Sequence, residues 1–197
     1  MRRAALAASL ALLTACSQTT VRTPLWAEWT SAQIDRHARR TVIDQSSQVV
    51  EQRECWLGPA DLSGEFLLRR EGDRLTLLGQ IIDDRPLCQS RPERLQPAWW
   101  LQRLGADGVA LTLLGTRGED NTEIVAALGS AGFDPQLFGA AESDEIEVWP
   151  TPTGARVRIS LDLMAHGGAQ LAERPAEVTV YDVDGPADWS VHRARLR

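Results

Sequence analysis

The clearest pattern in the chain is an alternation with period two. In Arg156–Leu163 (RVRISLDL), Val157, Ile159, Leu161 and Leu163 fall on one side and Arg156, Arg158, Ser160 and Asp162 on the other. That is the signature of a strand with one face in a core. Ile146–Trp149 precedes it across a Pro- and Gly-containing turn, so the two runs predict a hairpin. The pattern repeats. Glu65–Arg70 (EFLLRR) and Arg74–Ile82 (RLTLLGQII) flank Glu71-Gly72-Asp73, a three-residue turn containing its glycine. Glu177–Val183 (EVTVYDV) and Trp189–Leu196 (WSVHRARL) flank the turn signal Asp184-Gly185-Pro186. Val109–Leu114 (VALTLL) follows Gly105-Ala106-Asp107-Gly108. Ala98–Leu104 (AWWLQRL) before it reads as its hairpin partner, with a helix from Pro97 to Gly105 as the competing reading. Thr41–Val50 adds a further candidate strand.

Helical signals are fewer. Thr30 with Gln33 has the form of a capping box, with Trp29 and Ile34 as the flanking staple, predicting a short helix from about Ser31 to Arg40. Asp35 and Arg39 would pair one turn apart on it. Asp120 with Glu123 predicts a second helix over Ile124, Val125 and Leu128, stopped by Gly129 and Gly132. Asp134–Ala141 adds a helical turn. About eight antiparallel strands with one or two short helices predict a mainly β (β-rich α+β) fold: an antiparallel β-sandwich or a partly closed barrel. No linker is long enough to divide it, so residues 26–197 read as one domain.

The first 25 residues break this pattern. Met1-Arg2-Arg3 is positively charged, and Ala4–Ala15 is small and apolar apart from Ser9 and Thr14. This run has the length of a signal-peptide core and is too short for a stable membrane span, which needs about 20 residues. At its end stands Leu13-Thr14-Ala15-Cys16. These four residues resemble the bacterial lipobox, with every position matching. The resemblance to bacterial lipoproteins covers the leader, not the domain. It implies removal of residues 1–15, a diacylglyceryl group on the Cys16 sulfur and acylation (palmitate or a similar chain) of the new amino terminus. Two or three chains make such an anchor stable where one is marginal. Ser17, where Asp would favour inner-membrane retention, implies the outer membrane with the domain facing the periplasm. Residues 16–25 then form the lipidated cysteine and a polar tether.

Composition narrows the partners. The full chain carries a formal net charge of −6; the leader holds two of its 21 basic residues and none of its 27 acids, so the mature chain is near −8. An acidic domain lacks the basic stripe that nucleic acid requires. Every basic side chain is arginine. Arg36, Arg39 and Arg40 would give the first helix a basic face near the membrane, able to meet lipid phosphates.

Two cysteines remain in the mature chain, Cys55 and Cys88. In an oxidising compartment an even pair reads as a disulfide, closing a loop of about 34 residues. Seven tryptophans stand against one tyrosine and three phenylalanines. Trp99-Trp100 is the candidate binding surface, because adjacent strand residues point to opposite faces. His37, His166 and His192 have no metal-ligand spacing, and Gly129-Ser130-Ala131-Gly132 has its glycines wrongly placed for a nucleophile elbow. Asp83-Asp84 and Asp144-Glu145 read as solvated strand ends, and Asp182-Val183-Asp184-Gly185 as a hairpin turn. No catalytic residue, metal or cofactor is expected. The sequence predicts a non-enzymatic binding or envelope-assembly module whose partner is an envelope protein, lipid or glycan. A hydrophobic-ligand carrier and a peptidoglycan or glycan hydrolase are the alternatives.

Overall fold

The computed structural model describes residues 38–84, 107–115, 119–128, 135–185 and 188–197. Its organising unit is the hairpin around Gly72. Strand β3 (Leu62–Glu71) and strand β4 (Arg74–Asp83) pair along their whole length, from Leu62↔Asp83 to Glu71↔Arg74. Gly72 supplies the left-handed residue of the turn, with φ at 60°. β4 pairs on its other side with β9 (Gly154–Asp162), which pairs with β8 (Glu145–Thr151); β1 (Arg39–Ile43) lies outside β3. This completes a five-stranded antiparallel sheet.

The second sheet has six strands in the order β2-β11-β10-β5-β6-β7. They are β2 (Val49–Glu51), β5 (Gly108–Leu113), β6 (Thr122–Ala127), β7 (Gln136–Phe138), β10 (Ala176–Gly185) and β11 (Asp188–Leu196). The two sheets form a β-sandwich. One corner is closed as well: the Arg40 N–H donates to the Arg197 carbonyl at 2.7 Å and the Arg197 N–H returns a bond to Arg40 at 3.0 Å, so β1 bridges to the end of β11.

The alternation read in Arg156–Leu163 holds. Val157, Ile159 and Leu161 are buried with Phe66, Leu68, Leu75, Leu77, Leu111, Ile124 and Val178 between the sheets. Phe66 fixes the register at its centre. Its ring occupies the space left by two glycines: a Cβ on Gly79 would stand 2.6 Å from Phe66 Cε1, and one on Gly64 2.6 Å from Phe66 Cε2. A smaller cluster of Ala110, Val125, Tyr181, Val183 and Val191 lies on the other face of the second sheet, with Phe138 and Trp189 packed against it.

Three local expectations are corrected. The helix drawn to Arg40 is strand at its end, because Arg39–Ile43 pairs with β3 from Arg39↔Leu68 to Ile43↔Gly64. Strand alternation then separates its arginines, since Arg40 falls on the opposite face from Arg39. The helix over Ile124, Val125 and Leu128 is strand β6. Its run lacks alternation because Ile124 and Ala126 enter the main core while Val125 enters the second cluster, and a strand buried on both faces has the same apolar run as a helix. The helical turn over Asp134–Ala141 gives way to β7, which pairs with β6 at Val125↔Phe138. Among the described residues the helical segments are short 3-10 turns at Ser46–Gln48, Arg53–Cys55 and Ala169–Glu173. Ala98–Leu104 lies outside the described residues; β5, its expected partner, pairs with β10 and β6.

Candidate functional site

Strand β4 runs between two chemically different ends of the sandwich, about 30 Å apart for ten residues at about 3.3 Å each. At its start, beside the Gly72 turn, is a recess of about 530 Å³. Arg39 and Arg70 stand over a floor of Leu68, Leu75 and Ala172, with Glu173 on the rim; Arg69 borders the recess from β3, and alternation turns its side chain to the other face. β1 brings Arg39 there because residues facing inward on β1 lie opposite Leu68 and Phe66. The Arg39 guanidinium is fixed in place, donating to the Arg174 carbonyl at 2.5 Å and to the Ala172 carbonyl at 2.9 Å. Burial lowers its pKa from the ordinary value, and the Glu173 carboxylate opposes that shift. Arg70 Nε donates to the Gly72 carbonyl at 2.8 Å, and its guanidinium stands 3.9 Å from Glu173, whose side chain is 81% exposed. Arg69 pairs with Glu71.

Elsewhere in the same sheet's loops, Asp144 joins two segments. Its carboxylate is covered by protein and accepts the N–H of Ala141 and of Asp162, both at 2.8 Å, while His166 Nε2 meets it at 2.5 Å. Asp144 is therefore not the solvated strand end expected of it.

The far end of β4 is acidic. Asp83, Asp107 just before β5, and Asp182 on β10 are 4–5% exposed, with carboxylate oxygens all within 4.8 Å of one another. Asp107 Oδ1 accepts the Val183 N–H at 3.0 Å, and Asp182 Oδ2 accepts the Ser190 hydroxyl at 3.2 Å. Carboxylate oxygens at this spacing are the donor type that a hard cation such as calcium takes. Asp83 corrects the reading of Asp83-Asp84 as solvated edges: alternation puts Asp83 inside and leaves Asp84 exposed. Asp182 likewise belongs to the inner face; Asp182–Gly185 is strand rather than the hairpin turn expected, pairing with β11 from Asp182↔Ser190 to Gly185↔Asp188.

Ser190 links this group to His192. Having one hydroxyl proton and giving it to Asp182, Ser190 accepts from His192 Nε2 at 2.7 Å. His192 is then the neutral Nε2–H tautomer, and burial takes its pKa down to about 4. Trp56 stands edge-on to its ring at 5.7 Å and donates its indole N–H to the Leu62 carbonyl at 3.0 Å. The arrangement differs from a hydrolase triad in two ways. The serine lies between the acid and the histidine, and Ser190 and His192 have no exposed surface.

The other expected residues fall as follows. Arg40 is exposed, on the opposite side of β1 from the recess. Cys55 is half-buried in the Arg53–Cys55 turn. Cys16, Arg36, Cys88, Trp99 and Trp100 lie outside the described residues. The reading of the sequence missed Arg69 and Arg70. Their signal was present as two arginines closing a strand just before a turn (EFLLRR-EGD), where alternation aims one of them back over the core.

No protein-family profile matches the chain, and no curated protein sequence matches it. Among solved structures it is similar to a carbohydrate binding module family 9 (CBM9) from Caldicellulosiruptor kristjanssonii, determined in complex with cellotriose, at 14% identity and a TM-score of 0.44. The match covers 67% of this chain and 65% of that one, slightly less than two thirds of the module.

Proposed function

We propose that the chain is a lipoprotein anchored through Cys16 to the periplasmic side of the outer membrane, with a β-sandwich that binds an envelope component without catalysis. The anchor is supported by Leu13-Thr14-Ala15-Cys16 after an apolar leader and by Ser17. In that compartment Cys55 and Cys88 form the disulfide expected of them. The binding role is carried by one observation: a recess of about 530 Å³ opens at the end of the sandwich, with Arg39 and Arg70 over an apolar floor. That volume lies in the range of small-ligand sites, about 300–1,000 Å³. The gap beside Asp83 and Asp107, among the described residues, measures about 10 Å³, too small for the lipid a carrier would hold. A hydrolase needs acids that a substrate can reach, and Asp83, Asp107 and Asp182 are buried.

The test is purification of the lipidated protein from membranes in mild detergent, with mass spectrometry of what accompanies it. An envelope component at fixed ratio is the expected result. Turnover of murein fragments by the purified protein, or the absence of any accompanying component, overturns the reading.

A further inference from the structure

We propose that the recess between Arg39 and Arg70 holds the free carboxy-terminal end of a peptide whose last side chain is aliphatic. This rests on the reading of the recess as a binding site and names the chemistry of its ligand. Three observations support it, each matching one part of such a ligand.

The first is charge. Arg39 and Arg70 bring two positive charges to the lining and Glu173 one negative, leaving one positive charge to be balanced. Arg69 and Arg174 do not alter this, since they pair with Glu71 and Glu119. A carboxylate, with its single negative charge, completes the balance. A phosphate monoester carries about −1.5 to −2 at pH 7 and overshoots it.

The second is the state of the two guanidinium groups, each able to meet a carboxylate through planar N–H donors. Arg39 commits two of its five N–H groups, to the Arg174 carbonyl at 2.5 Å and the Ala172 carbonyl at 2.9 Å. Neutral carbonyls set its orientation and leave its charge, so a ligand meets a preorganised cation. Arg70 Nε donates to the Gly72 carbonyl at 2.8 Å, which fixes that group beside the turn. Its Nη1 stands 3.9 Å from the Glu173 carboxylate, beyond hydrogen-bond reach. That donor is therefore open to a closer acceptor.

The third is what lies beside the cations. The floor of Leu68, Leu75 and Ala172 gives an aliphatic side chain an apolar surface. Glu173, 81% exposed along its side chain, stands on the rim as an acceptor, and a backbone amide N–H needs one. At about 530 Å³ the recess exceeds what a bare anion fills and lies within the range of small-ligand sites, about 300–1,000 Å³. A carboxylate, an amide N–H and an aliphatic group occur together, a few bonds apart, at the end of a peptide.

The test uses the full chain in neutral detergent and follows arginine Nε–Hε signals by NMR. The probe is N-acetyl-leucine, which carries all three groups. N-acetyl-leucinamide is the neutral control, and acetate and inorganic phosphate are the bare anions. Saturable shifts of the Arg39 and Arg70 signals are expected with N-acetyl-leucine, with binding about tenfold weaker for acetate and for phosphate and none for the amide. Arg70→Gln is expected to weaken N-acetyl-leucine by about tenfold, the loss of one charge-assisted contact. Glu173→Gln keeps an acceptor and adds one net positive charge, so it is expected to narrow the preference for N-acetyl-leucine over phosphate. Arg195→Gln, which removes an exposed ion pair with Glu177 on the other sheet, is expected to change nothing. Amide spectra of the variants report that the fold is kept. Titrations of N-acetyl-leucine without shifts, equal binding of the amide, or an Arg70→Gln protein that binds as well as wild type overturn the proposal. Phosphate or acetate binding as tightly as N-acetyl-leucine overturns the peptide assignment. In each of these cases an envelope component that still co-purifies at fixed ratio leaves the binding-module reading standing.

Discussion

At the scale of single residues, His192 carries the sharpest consequence. Its imidazole has no exposed surface, and its pKa of about 4 lies below the ordinary 6.5 because burial disfavours the cation. The unfolded chain therefore takes up this proton first as pH falls. The stability due to a neutral His192 is complete above about pH 6.5, declines between about 6.5 and 4, and changes no further below that. The loss is on the order of 3 kcal/mol. His192→Gln keeps a donor toward Ser190 and removes the titration, so its urea midpoint should fall less steeply than that of wild type across that window. Parallel curves for the two proteins would refute this account. Some of the arrangement was legible. WSVHRARL alternates, and the strand was read from it. The buried face was harder to see, because it carries Ser190 and His192 where apolar residues were expected, and their partner Asp182 arrives from β10. Polar residues satisfied across strands look solvent-facing in a linear reading.

At the scale of elements, the three hairpins were legible because each joins β-rich runs across a turn with glycine or proline. The failures share a cause. β6 and the end of β1 take their identity from neighbours: β6 is covered on both sides, and β1 is set by pairing with β3. Local capping signals at Thr30–Gln33 and Asp120–Glu123 say nothing of such coverage. The recess was invisible for the same reason, since it needs β1, the β3–β4 turn and the Ala169–Glu173 segment together. The loops that Asp144 joins make a testable joint. His166→Ala leaves the covered Asp144 carboxylate without its imidazole partner. A loss of about 1–3 kcal/mol is expected, with faster amide hydrogen exchange at Ala141 and Asp162, whose N–H groups bond Asp144. Unchanged exchange at both amides would mean that the two loops hold together without the histidine.

At the scale of the whole molecule, the sandwich is an asymmetric object, with arginines at one end of β4 and buried carboxylates at the other. Cys16→Ser tests how it is held. The variant should lack the mass of the acyl chains and leave the membrane fraction or stall before leader removal. Membrane attachment at unchanged mass would remove the lipoprotein reading. The class of the fold was the most legible feature at this level, since alternating runs outnumber helical signals along the chain. The recess was not, because its lining comes from residues 39, 70, 75 and 173, far apart in the sequence. The bridge between Arg40 and Arg197 adds a mechanical consequence. A pull applied to the chain at Arg39 acts on β1 directly. That strand is gripped on both edges, by the β3 ladder and by the last residue of the chain. A pull along its axis loads these bonds together, as shear, and the strand is also a clasp between the two sheets.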